Sequence, residues 1–324
     1  MASILKKKIA IIGCGNIASF HVESLNNSGF KVEYAASTKN SKTIKKFAEK
    51  HKIINYFNDP LEMIKKINNE VDAYLISTPV EDSIKYLKIL NSSNKPILLE
   101  KPGAFNYRKL LKFKNNNKIF LAYNRRFYHS VDKFKDAIRN FDNLLINVEV
   151  PEKFISSKTK NFYQKYLYYF GNTVHIIDLL FYLFGNIKLI HVSKNKDKDN
   201  IKSIIAILKS NKHLINFVCN FKGSSNFRIT AENSENKFEL KPIEYLNIYK
   251  GMNVSEPKGK NKLRKFFPKK ISESYLPKIE IDYKPGFLLQ SKEFYKMLNS
   301  KSKTKLANVK DSINALKLLE QIIK

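Results

Sequence analysis

The stretch Lys8-Ile-Ala-Ile-Ile-Gly-Cys-Gly-Asn-Ile-Ala18 decides the fold, because it joins a short apolar strand directly to a glycine turn that opens a helix. In the pattern Gly13-x-Gly15-x-x-Ala18, the first glycine permits a tight turn and the second leaves room for a pyrophosphate. The small third residue lets helix and strand pack closely. The chain has only 10 glycines among its 324 residues, so two within three positions are unexpected by chance. The turn predicts a dinucleotide site at a helix N-terminus, with an ordinary strand-helix turn as the alternative.

Up to about residue 122, apolar strands alternate with helical stretches, a pattern typical of a doubly wound parallel sheet. The predicted strands are Ile9–Ile12, Val32–Ala36, Ala73–Ser77, Ile97–Leu99 and Ile119–Ala122. The predicted helices are Ser41–Lys50, Asp59–Ile67, Glu81–Leu90 and Tyr107–Phe113. Ligands of open α/β sheets bind at the carboxyl ends of the strands. Chain order places four residues at those ends: Gly13, Ser37, Thr78 and Glu100.

Beyond residue 143, period-two patterning predicts a second, antiparallel sheet. Its strands are predicted at Leu144–Val150, Ile187–Val192, Ser203–Leu208, Leu214–Phe221, Phe227–Ala231 and Lys237–Leu240. Helices are predicted at Asn172–Phe184, Gly286–Leu298 and Val309–Ile323, and the Lys-rich stretch Tyr245–Tyr283 is predicted to be irregular. We expect a dinucleotide-binding domain over residues 1–122 and a substrate and oligomerisation domain over residues 123–324, whose final helices could pack back on the first domain.

Composition predicts a cytoplasmic protein. No apolar run approaches the roughly 18 residues of a membrane helix, and Met1–Lys8 lacks the apolar core of a signal peptide. Cys14 and Cys219 are the two cysteines and have no metal-ligand spacing, which fits a reducing compartment. We therefore expect no metal site and no transmembrane segment.

The formal net charge of +30 does not by itself indicate a nucleic-acid partner. Only six of the 59 basic residues are Arg, and Lys, Asn and Ile are plentiful together, which favours coding bias over a selected polyanion site. Zinc-finger spacing and RNP-type aromatic motifs are absent from the sequence, so no specific nucleic-acid binding is expected. One basic cluster stands out over residues 258–270. It is either a solvated loop or a contact for a phosphate-bearing substrate or an anionic surface.

Glu100-Lys101-Pro102 follows the fourth predicted strand, near the edge at which a nicotinamide would project. Proline restricts Lys101 to an extended conformation and permits a cis bond, which would aim the ammonium. A lysine beside bound substrate can take or give a hydroxyl proton during hydride transfer. Lys101 is therefore a candidate acid/base, although any exposed Lys-Pro turn would look the same.

A second candidate group lies on the predicted helix Asn172–Phe184, where His175 and Asp178 are three residues apart on one face. A histidine on an apolar helix is often structural, and Asp178 could orient it or cap a neighbour. The pair is equally compatible with a functional and a structural role.

Together these motifs resemble the glucose-fructose oxidoreductase, inositol dehydrogenase and MocA family, written Gfo/Idh/MocA. The resemblance covers nearly the whole chain and rests on the following motifs in order: Gly13–Ala18, Ser77-Thr78-Pro79, Pro96–Pro102, Ala122–Phe127, His175-x-x-Asp178 before Gly185, and Gly286-Phe with Gln290 and Phe294. It implies an N-terminal Rossmann domain and a C-terminal α+β domain on an open-faced, mostly antiparallel sheet, which often forms a homo-oligomer interface. The implied activity is nicotinamide-dependent oxidation or reduction of sugar or cyclitol hydroxyls.

The resemblance also assigns residues. It implies that Lys101 is catalytic and that His175 bonds the reacting oxygen. With the strand ends, it assigns the cofactor to Gly13, Cys14, Gly15, Asn16, Ile17, Ser37, Thr38, Lys39, Ser77, Thr78, Pro79, Glu100 and Lys101. The candidate substrate contacts are Tyr123, Arg125, Asn172, Thr173 and His175.

One position departs from the family pattern. Many members carry an aspartate four residues before the helix histidine, where this chain has Gly171. The proton relay would then use Lys101 and His175 alone or recruit one of the neighbouring polar residues Asn172, Thr173, Tyr168 and Tyr169. Alternatively, the activity has changed or been lost.

The end of the second predicted strand bears on cofactor choice. An acidic residue there would bind an unphosphorylated ribose, but the chain offers Ser37, Thr38 and Lys39. Hydroxyls and a cation suit a 2′-phosphate, so NADP is favoured over NAD. The leading hypothesis is an NAD(P)-dependent oxidoreductase of a sugar or nucleotide sugar, with a role in surface polysaccharide or glycan biosynthesis. The alternative is a catalytically altered or inactive member that binds cofactor and sugar without turnover.

Overall fold

A computed structural model describes residues 6–38, 41, 43–153, 161–198, 200–260, 262–298 and 303–324 of the chain. By compactness the chain divides into two units. The first comprises Met1–Phe127, Lys160–Asp178 and Lys278–Lys317, and the second comprises Tyr128–Thr159, Leu179–Pro277 and Leu318–Lys324. No helix in the described parts of the chain is both long and apolar enough to cross a membrane.

Strands and helices are numbered in chain order. The strands are β1 Lys7–Ile12, β2 Phe30–Ala36, β3 Asn55–Phe57, β4 Ala73–Ile76, β5 Ile97–Leu99, β6 Ile119–Leu121, β7 Leu145–Glu152, β8 Ile187–Asp197, β9 Asn200–Ser210, β10 Leu214–Phe221, β11 Arg228–Glu232, β12 Asn236–Leu240, β13 Tyr245–Ser255, β14 Lys265–Tyr275 and β15 Ala307–Asn308. The α-helices are α1 Asn16–Asn26, α2 Ile44–His51, α3 Pro60–Ile67, α4 Val80–Leu90, α5 His129–Ile138, α6 Phe162–Lys165, α7 Val174–Phe184, α8 Lys278–Ile281, α9 Phe287–Lys296 and α10 Val309–Ile323.

The first unit contains a doubly wound sheet. Within the described residues its strand order is β15-β6-β5-β4-β1-β2-β3, and all neighbours are parallel except β15 and β6. The predicted parallel sheet is confirmed. β3 was not predicted, because it is only three residues long and has no buried residue. The predicted helix Tyr107–Phe113 is a 3-10 helix.

Strand register sets the edge of this sheet. Ile12 at the end of β1 pairs with Ala36 of β2 and with Ile76 of β4, and Ile76 pairs with Leu99 of β5. Because these ends are level, the residues that follow them lie in one row: Ser37, Gly13, Ser77 and Glu100. The predicted ligand-binding edge is therefore a continuous feature of the sheet.

The second unit contains a sheet with strand order β14-β13-β12-β11-β7-β10-β9-β8 among the described residues. Its neighbours are antiparallel except β7 and β10, which are parallel. Along β10 the side chains of Ile215, Phe217 and Cys219 are fully buried, whereas Leu214 on the opposite face is half exposed. The predicted mostly antiparallel sheet with one open face is confirmed.

The prediction that Tyr245–Tyr283 is irregular was wrong. The stretch contains the two 11-residue strands β13 and β14 and the short helix α8. Every residue of β14 except Ser274 is exposed. A strand exposed on both faces needs no alternation of apolar and polar residues. The lysine-rich sequence of β14 therefore lacks the periodic signal from which strands are predicted.

Candidate dinucleotide and catalytic site

Gly13 ends β1 in a conformation that only glycine adopts easily. Its φ is 100°, and a Cβ at this position would lie 2.4 Å from the Ser77 carbonyl oxygen. The Gly13 N–H donates to the Ala36 carbonyl oxygen at 2.8 Å. The chain therefore turns at the end of β1 in close contact with the loop that follows β4.

Gly15 is the N-cap residue of α1, and no side chain caps that helix. A Cβ on Gly15 would have no atom within 4 Å, and Gly15, Asn16 and Ile17 are all exposed. The first N–H groups of α1 thus face open space with the positive end of the helix dipole. This arrangement fits the pyrophosphate of a dinucleotide, because the missing side chain leaves the cradle that the phosphates need.

Cys14 is a packing residue in this turn. Its Sγ lies 3.6 Å from the Ala36 carbonyl oxygen. Burial raises the pKa of the Cys14 thiol to about 12. The group is a thiol at neutral pH and does not act as a nucleophile.

The two glycines yield matched predictions. We expect Gly15→Ala to lower the free energy of unfolding by less than about 1 kcal/mol, because its Cβ meets no atom and only the N-cap preference for glycine is lost, but to weaken dinucleotide binding by about tenfold or more. We expect Gly13→Ala to lower the free energy of unfolding by more than about 1 kcal/mol, because its Cβ meets backbone. Denaturant unfolding and calorimetric cofactor titration measure both quantities. Equal effects of the two variants on stability would contradict the assignment.

The remaining cofactor candidates lie along the same edge. Ser37 and Thr38 follow β2, and the Ser37 N–H donates to the Phe57 carbonyl oxygen at 3.1 Å. The Thr78 hydroxyl contacts the Ser83 hydroxyl at 3.2 Å, and Pro79 is exposed at the start of α4. Lys39 lies outside the described residues.

Glu100 links the glycine-turn helix to the lysine turn. His21, fully buried on α1, places Nε2 2.7 Å from Glu100 Oε1. The other carboxylate oxygen, Oε2, accepts the Lys101 backbone N–H at 3.2 Å. Sequence reasoning missed His21. The position of His21 in α1, three residues after Ala18, does not indicate a role unless the contact with Glu100 is known.

Lys101 is held against the turn that precedes α7. Its Nζ donates to the Gly171 carbonyl oxygen at 2.8 Å, and the Lys101–Pro102 bond is cis. Gly171 lies in a π-helical turn, Tyr169–Thr173, a widened geometry that is frequent at functional sites. The structure therefore brings the sheet edge and the start of α7 together at the Lys101 ammonium.

His175 is a buried neutral base at the start of α7. Its Nδ1 is buried without a hydrogen-bond partner among the described residues. Burial holds the pKa of His175 well below 6.5, and the charges of Lys101, Arg125 and Lys284 lower it further. The imidazole is uncharged at neutral pH and can exchange a hydrogen bond with a bound oxygen.

The pKa of His175 predicts a pH dependence of stability. The folded protein keeps this imidazole neutral, whereas the unfolded chain takes up a proton below about pH 6.5. His175 therefore contributes full stability above that pH, and the contribution is lost as the pH falls. Between about pH 6.5 and 5.5, we expect the free energy of unfolding to fall by about 1 kcal/mol more in the natural protein than in His175→Asn.

Denaturant unfolding at several pH values measures this difference. The exposed His191 supplies a matched control, since His191→Asn should follow the natural protein throughout. Parallel curves for the natural protein and His175→Asn would contradict a buried neutral imidazole.

A buried ion pair fixes the helix behind His175. Arg126 donates to both oxygens of Asp178, from Nε at 2.9 Å and from Nη2 at 2.6 Å. Nη1 of Arg126 also donates to Asp311 at 3.2 Å. Burial raises the pKa of Asp178 to about 6 against the opposing effect of Arg126, so the carboxylate is charged at neutral pH. Although burial disfavours its charge, Asp178 and Asp311 hold the pKa of Arg126 above its ordinary value.

Asp178 is therefore the ion-pair partner of Arg126. Its two oxygens pair with the guanidinium, and the Arg126 interaction orients α7. Sequence reasoning missed Arg126 and Asp311, because no local pattern indicates that Asp311 meets a residue 185 positions earlier in the chain.

The first turn of α10 supports the same region. Asn308 and Asp311 form a reciprocal cap, with N–H to side-chain bonds of 3.0 and 3.1 Å. The next residue, Ser312, donates to the Pro102 carbonyl oxygen at 2.7 Å and contacts the Tyr123 hydroxyl at 3.2 Å. One helix end thereby holds the residue after Lys101.

Tyr123 is fully buried, with its ring centroid 5.6 Å from that of His175 in an edge-to-face contact. Burial raises the pKa of its hydroxyl far above the ordinary value. Arg125 and Asn172 are half-buried, and Thr173 is buried.

In the described part of the chain, no group of three His, Cys, Asp or Glu side chains could hold a metal ion.

Parallel strands, a glycine turn and an uncapped helix N-terminus define a Rossmann-type dinucleotide-binding unit. Residues 7–117 match the family model described as the oxidoreductase family, NAD-binding Rossmann fold, of the Gfo/Idh/MocA proteins. The resemblance drawn from the sequence is confirmed over this Rossmann region.

The chain is 27% identical over 138 residues to myo-inositol 2-dehydrogenase of Thermotoga maritima, a match that covers 41% of each protein. Among solved structures, an oxidoreductase of Thermotoga maritima has a TM-score of 0.76 at 15% identity, covering 98% of this chain and 96% of that one. UDP-N-acetylglucosamine 3-dehydrogenase of Acidithiobacillus ferrooxidans has a TM-score of 0.74 at 13% identity, again covering 98% and 96%. At these identities, the two structural likenesses concern the fold of the whole chain.

Proposed function

We propose that the chain is a nicotinamide-dependent oxidoreductase that interconverts a hydroxyl and a keto group on a sugar or nucleotide sugar. Its main support is the hydrogen bond of 2.8 Å that Lys101 Nζ donates to the Gly171 carbonyl oxygen. It brings an ammonium group from the dinucleotide edge to the turn that leads into His175.

The residues of the glycine turn would hold the cofactor. The N–H groups at the start of α1 would bind the pyrophosphate beside Gly15, where no side chain blocks the approach. The bound nicotinamide would accept or supply the hydride. The contact between His21 and Glu100 would fix the position of the pyrophosphate-binding helix α1 relative to Lys101.

Lys101 would move the hydroxyl proton. In its amine form it would take that proton as the alcohol carbon loses hydride, and in its ammonium form it would return the proton during reduction. The Gly171 carbonyl oxygen orients Nζ without sharing a charge, so the proton remains available to substrate.

His175 would hold the reacting oxygen. A neutral imidazole can donate to or accept from that oxygen without adding another cation beside Lys101 and Arg125. Arg125, Asn172 and Thr173 are candidate substrate contacts. Tyr123 would position the His175 ring by packing against its edge.

We propose NADP as the preferred cofactor, with NAD as the alternative. Neither Ser37 nor Thr38 carries a carboxylate that would repel a 2′-phosphate. Titration with both dinucleotides tests this preference, and tighter binding of NAD would overturn it.

A homo-oligomer through the second sheet is a further part of the proposal. The open face of that sheet exposes Leu145, Ile205 and Leu214, each between 42% and 51% accessible. Leu214 and Leu145 are directly paired, so the exposed side chains adjoin.

We also propose a cytoplasmic role in surface polysaccharide or glycan biosynthesis, supported by the nucleotide-sugar activity in the name of one structural neighbour.

Gly171 favours a second candidate function, a member that binds cofactor and sugar without turnover. A Cβ at Gly171 would have no atom within 4 Å, so an aspartate could be accommodated. If the missing carboxylate has abolished catalysis, Gly171→Asp should gain turnover that the natural protein lacks. If Lys101 and His175 suffice, the natural protein turns over and Gly171→Asp gains little.

The test of the proposed function is turnover with a panel of free and nucleotide-linked sugars, offered with NADP and with NAD. Reduction or oxidation of the nicotinamide with at least one sugar supports the oxidoreductase. Tight sugar binding with an unchanged nicotinamide supports the non-catalytic alternative.

A further inference from the structure

Residues 251–270, here named the distal hairpin, form an extension of the second sheet with no neighbouring strand on either side among the described residues. β12 pairs with β13 only as far as Lys250, and β14 is the edge strand. All residues of the distal hairpin that the structure describes are exposed. Its strands therefore pair with each other alone.

One face of the distal hairpin is apolar. Met252 pairs with Pro268 and Val254 pairs with Phe266, and directly paired residues point to the same face. Met252, Val254 and Phe266 are 46% to 57% accessible. Four adjoining apolar side chains thus form an unpartnered surface on a projecting element.

The opposite face and the tip are mostly polar and cationic, with Phe267 and Leu263 as exposed apolar side chains. On the opposite face Lys265 pairs with Ser255 and Phe267 with Asn253. The distal hairpin has seven basic residues and one carboxylate, Glu256, which binds Arg264 through Nε at 2.9 Å. Five lysines form no ion pair with any described residue: Lys258, Lys260, Lys262, Lys265 and Lys269.

We propose that the distal hairpin binds the surface of an anionic phospholipid membrane. The lysines would contact lipid phosphates while the face with Met252, Val254 and Phe266 enters the headgroup and acyl boundary. Apolar burial and charge attraction add in such binding, and long lysine side chains can keep their ammonium groups in water. This inference does not depend on the proposed oxidoreductase activity.

Charge and side-chain chemistry favour this partner over two others. A second copy of the chain would bring two strongly cationic hairpins together, at a cost in repulsion. A nucleic acid would match the lysines, and Phe266 and Phe267 could each stack on a base, but these two rings point to opposite faces, and Met252, Val254 and Pro268 add no aromatic surface. Only an anionic lipid surface matches both faces.

The chain contains no Trp, so Phe266→Trp introduces a single fluorescent reporter on the apolar face. With vesicles of phosphatidylcholine and phosphatidylglycerol, we expect its emission to shift to shorter wavelength and to be quenched by brominated acyl chains. The matched Phe267→Trp, one residue away on the opposite face, should be quenched less. Vesicles of phosphatidylcholine alone should leave both unchanged.

A second experiment neutralises lysines of the distal hairpin. K258Q/K260Q/K262Q/K265Q should lower vesicle binding of the full chain by about tenfold or more at low salt. The control K45Q/K46Q/K50Q/K65Q removes as many exposed lysines from the first unit and should lower it far less. Circular dichroism of each variant verifies that it folds.

Several results would overturn the proposal. They are equal quenching at positions 266 and 267, equal binding to neutral vesicles, or unchanged binding by V254S/F266S. Displacement from vesicles by duplex DNA at equal phosphate would favour a nucleic acid. A doubled molar mass that V254S/F266S abolishes would favour a second copy.

Discussion

Lys101→Ala is expected to lower kcat/KM for the sugar substrate by about 10²- to 10⁴-fold, the usual contribution of a positioned acid/base. The lysine is the group that the structure places between the dinucleotide edge and the turn before His175. Its Nζ donates to the Gly171 carbonyl oxygen at 2.8 Å. Dinucleotide affinity should change much less than turnover, because the pyrophosphate site at Gly15 is intact.

Lys101→Arg separates proton transfer from charge. Arginine keeps the positive charge but does not release a proton at neutral pH, so this variant should remain strongly impaired. The exposed Lys109 is a matched control, and Lys109→Ala should retain full activity. Activity of Lys101→Arg close to that of the natural protein would show that the lysine acts only through its charge, and full activity of Lys101→Ala would exclude it from the reaction.

The second large effect is expected on stability. Arg126→Met should lower the free energy of unfolding by about 3–5 kcal/mol, because it leaves the Asp178 carboxylate buried without its partner. Asp178 is 1% exposed and accepts two hydrogen bonds from this one guanidinium. Arg126→Lys should be intermediate, since a single ammonium cannot reproduce the bidentate pair.

Denaturant unfolding measures these effects. The double variant R126M/D178L should recover much of the loss, because removing both members of a buried pair costs less than removing one. The exposed Arg139 supplies the control, and Arg139→Met should be nearly neutral. A loss below about 1 kcal/mol in Arg126→Met would contradict a buried ionised pair.

Much of the fold could be predicted because its signals are local. The apolar run before Gly13 and the alternating apolar and helical segments predict the parallel sheet directly. β3 and β14 escaped prediction because a strand without a buried face carries no periodic apolar signal. The segments 160–178 and 278–317 belong to the first unit by compactness, and no local sequence signal indicates the return of residues 160–178.

The candidate site could be predicted only in part. Lys101 and His175 stand out because each lies in a short motif, and the structure places both in one electrostatic environment. The supporting groups His21, Arg126 and Asp311 act through partners that are 79, 52 and 185 residues away in sequence. Such pairings depend on tertiary structure and leave no pattern in the neighbouring residues.

We propose that Lys101 allows hydride transfer between a bound nicotinamide and a sugar by moving the hydroxyl proton. The most direct measurement is the oxidation state of the nicotinamide, followed by its absorbance, when the natural protein and Lys101→Ala are each mixed with dinucleotide and the sugar panel. We expect a change with at least one sugar in the natural protein and little or none in Lys101→Ala. An unchanged nicotinamide with every sugar, or an equal rate in both proteins, would contradict this proposal.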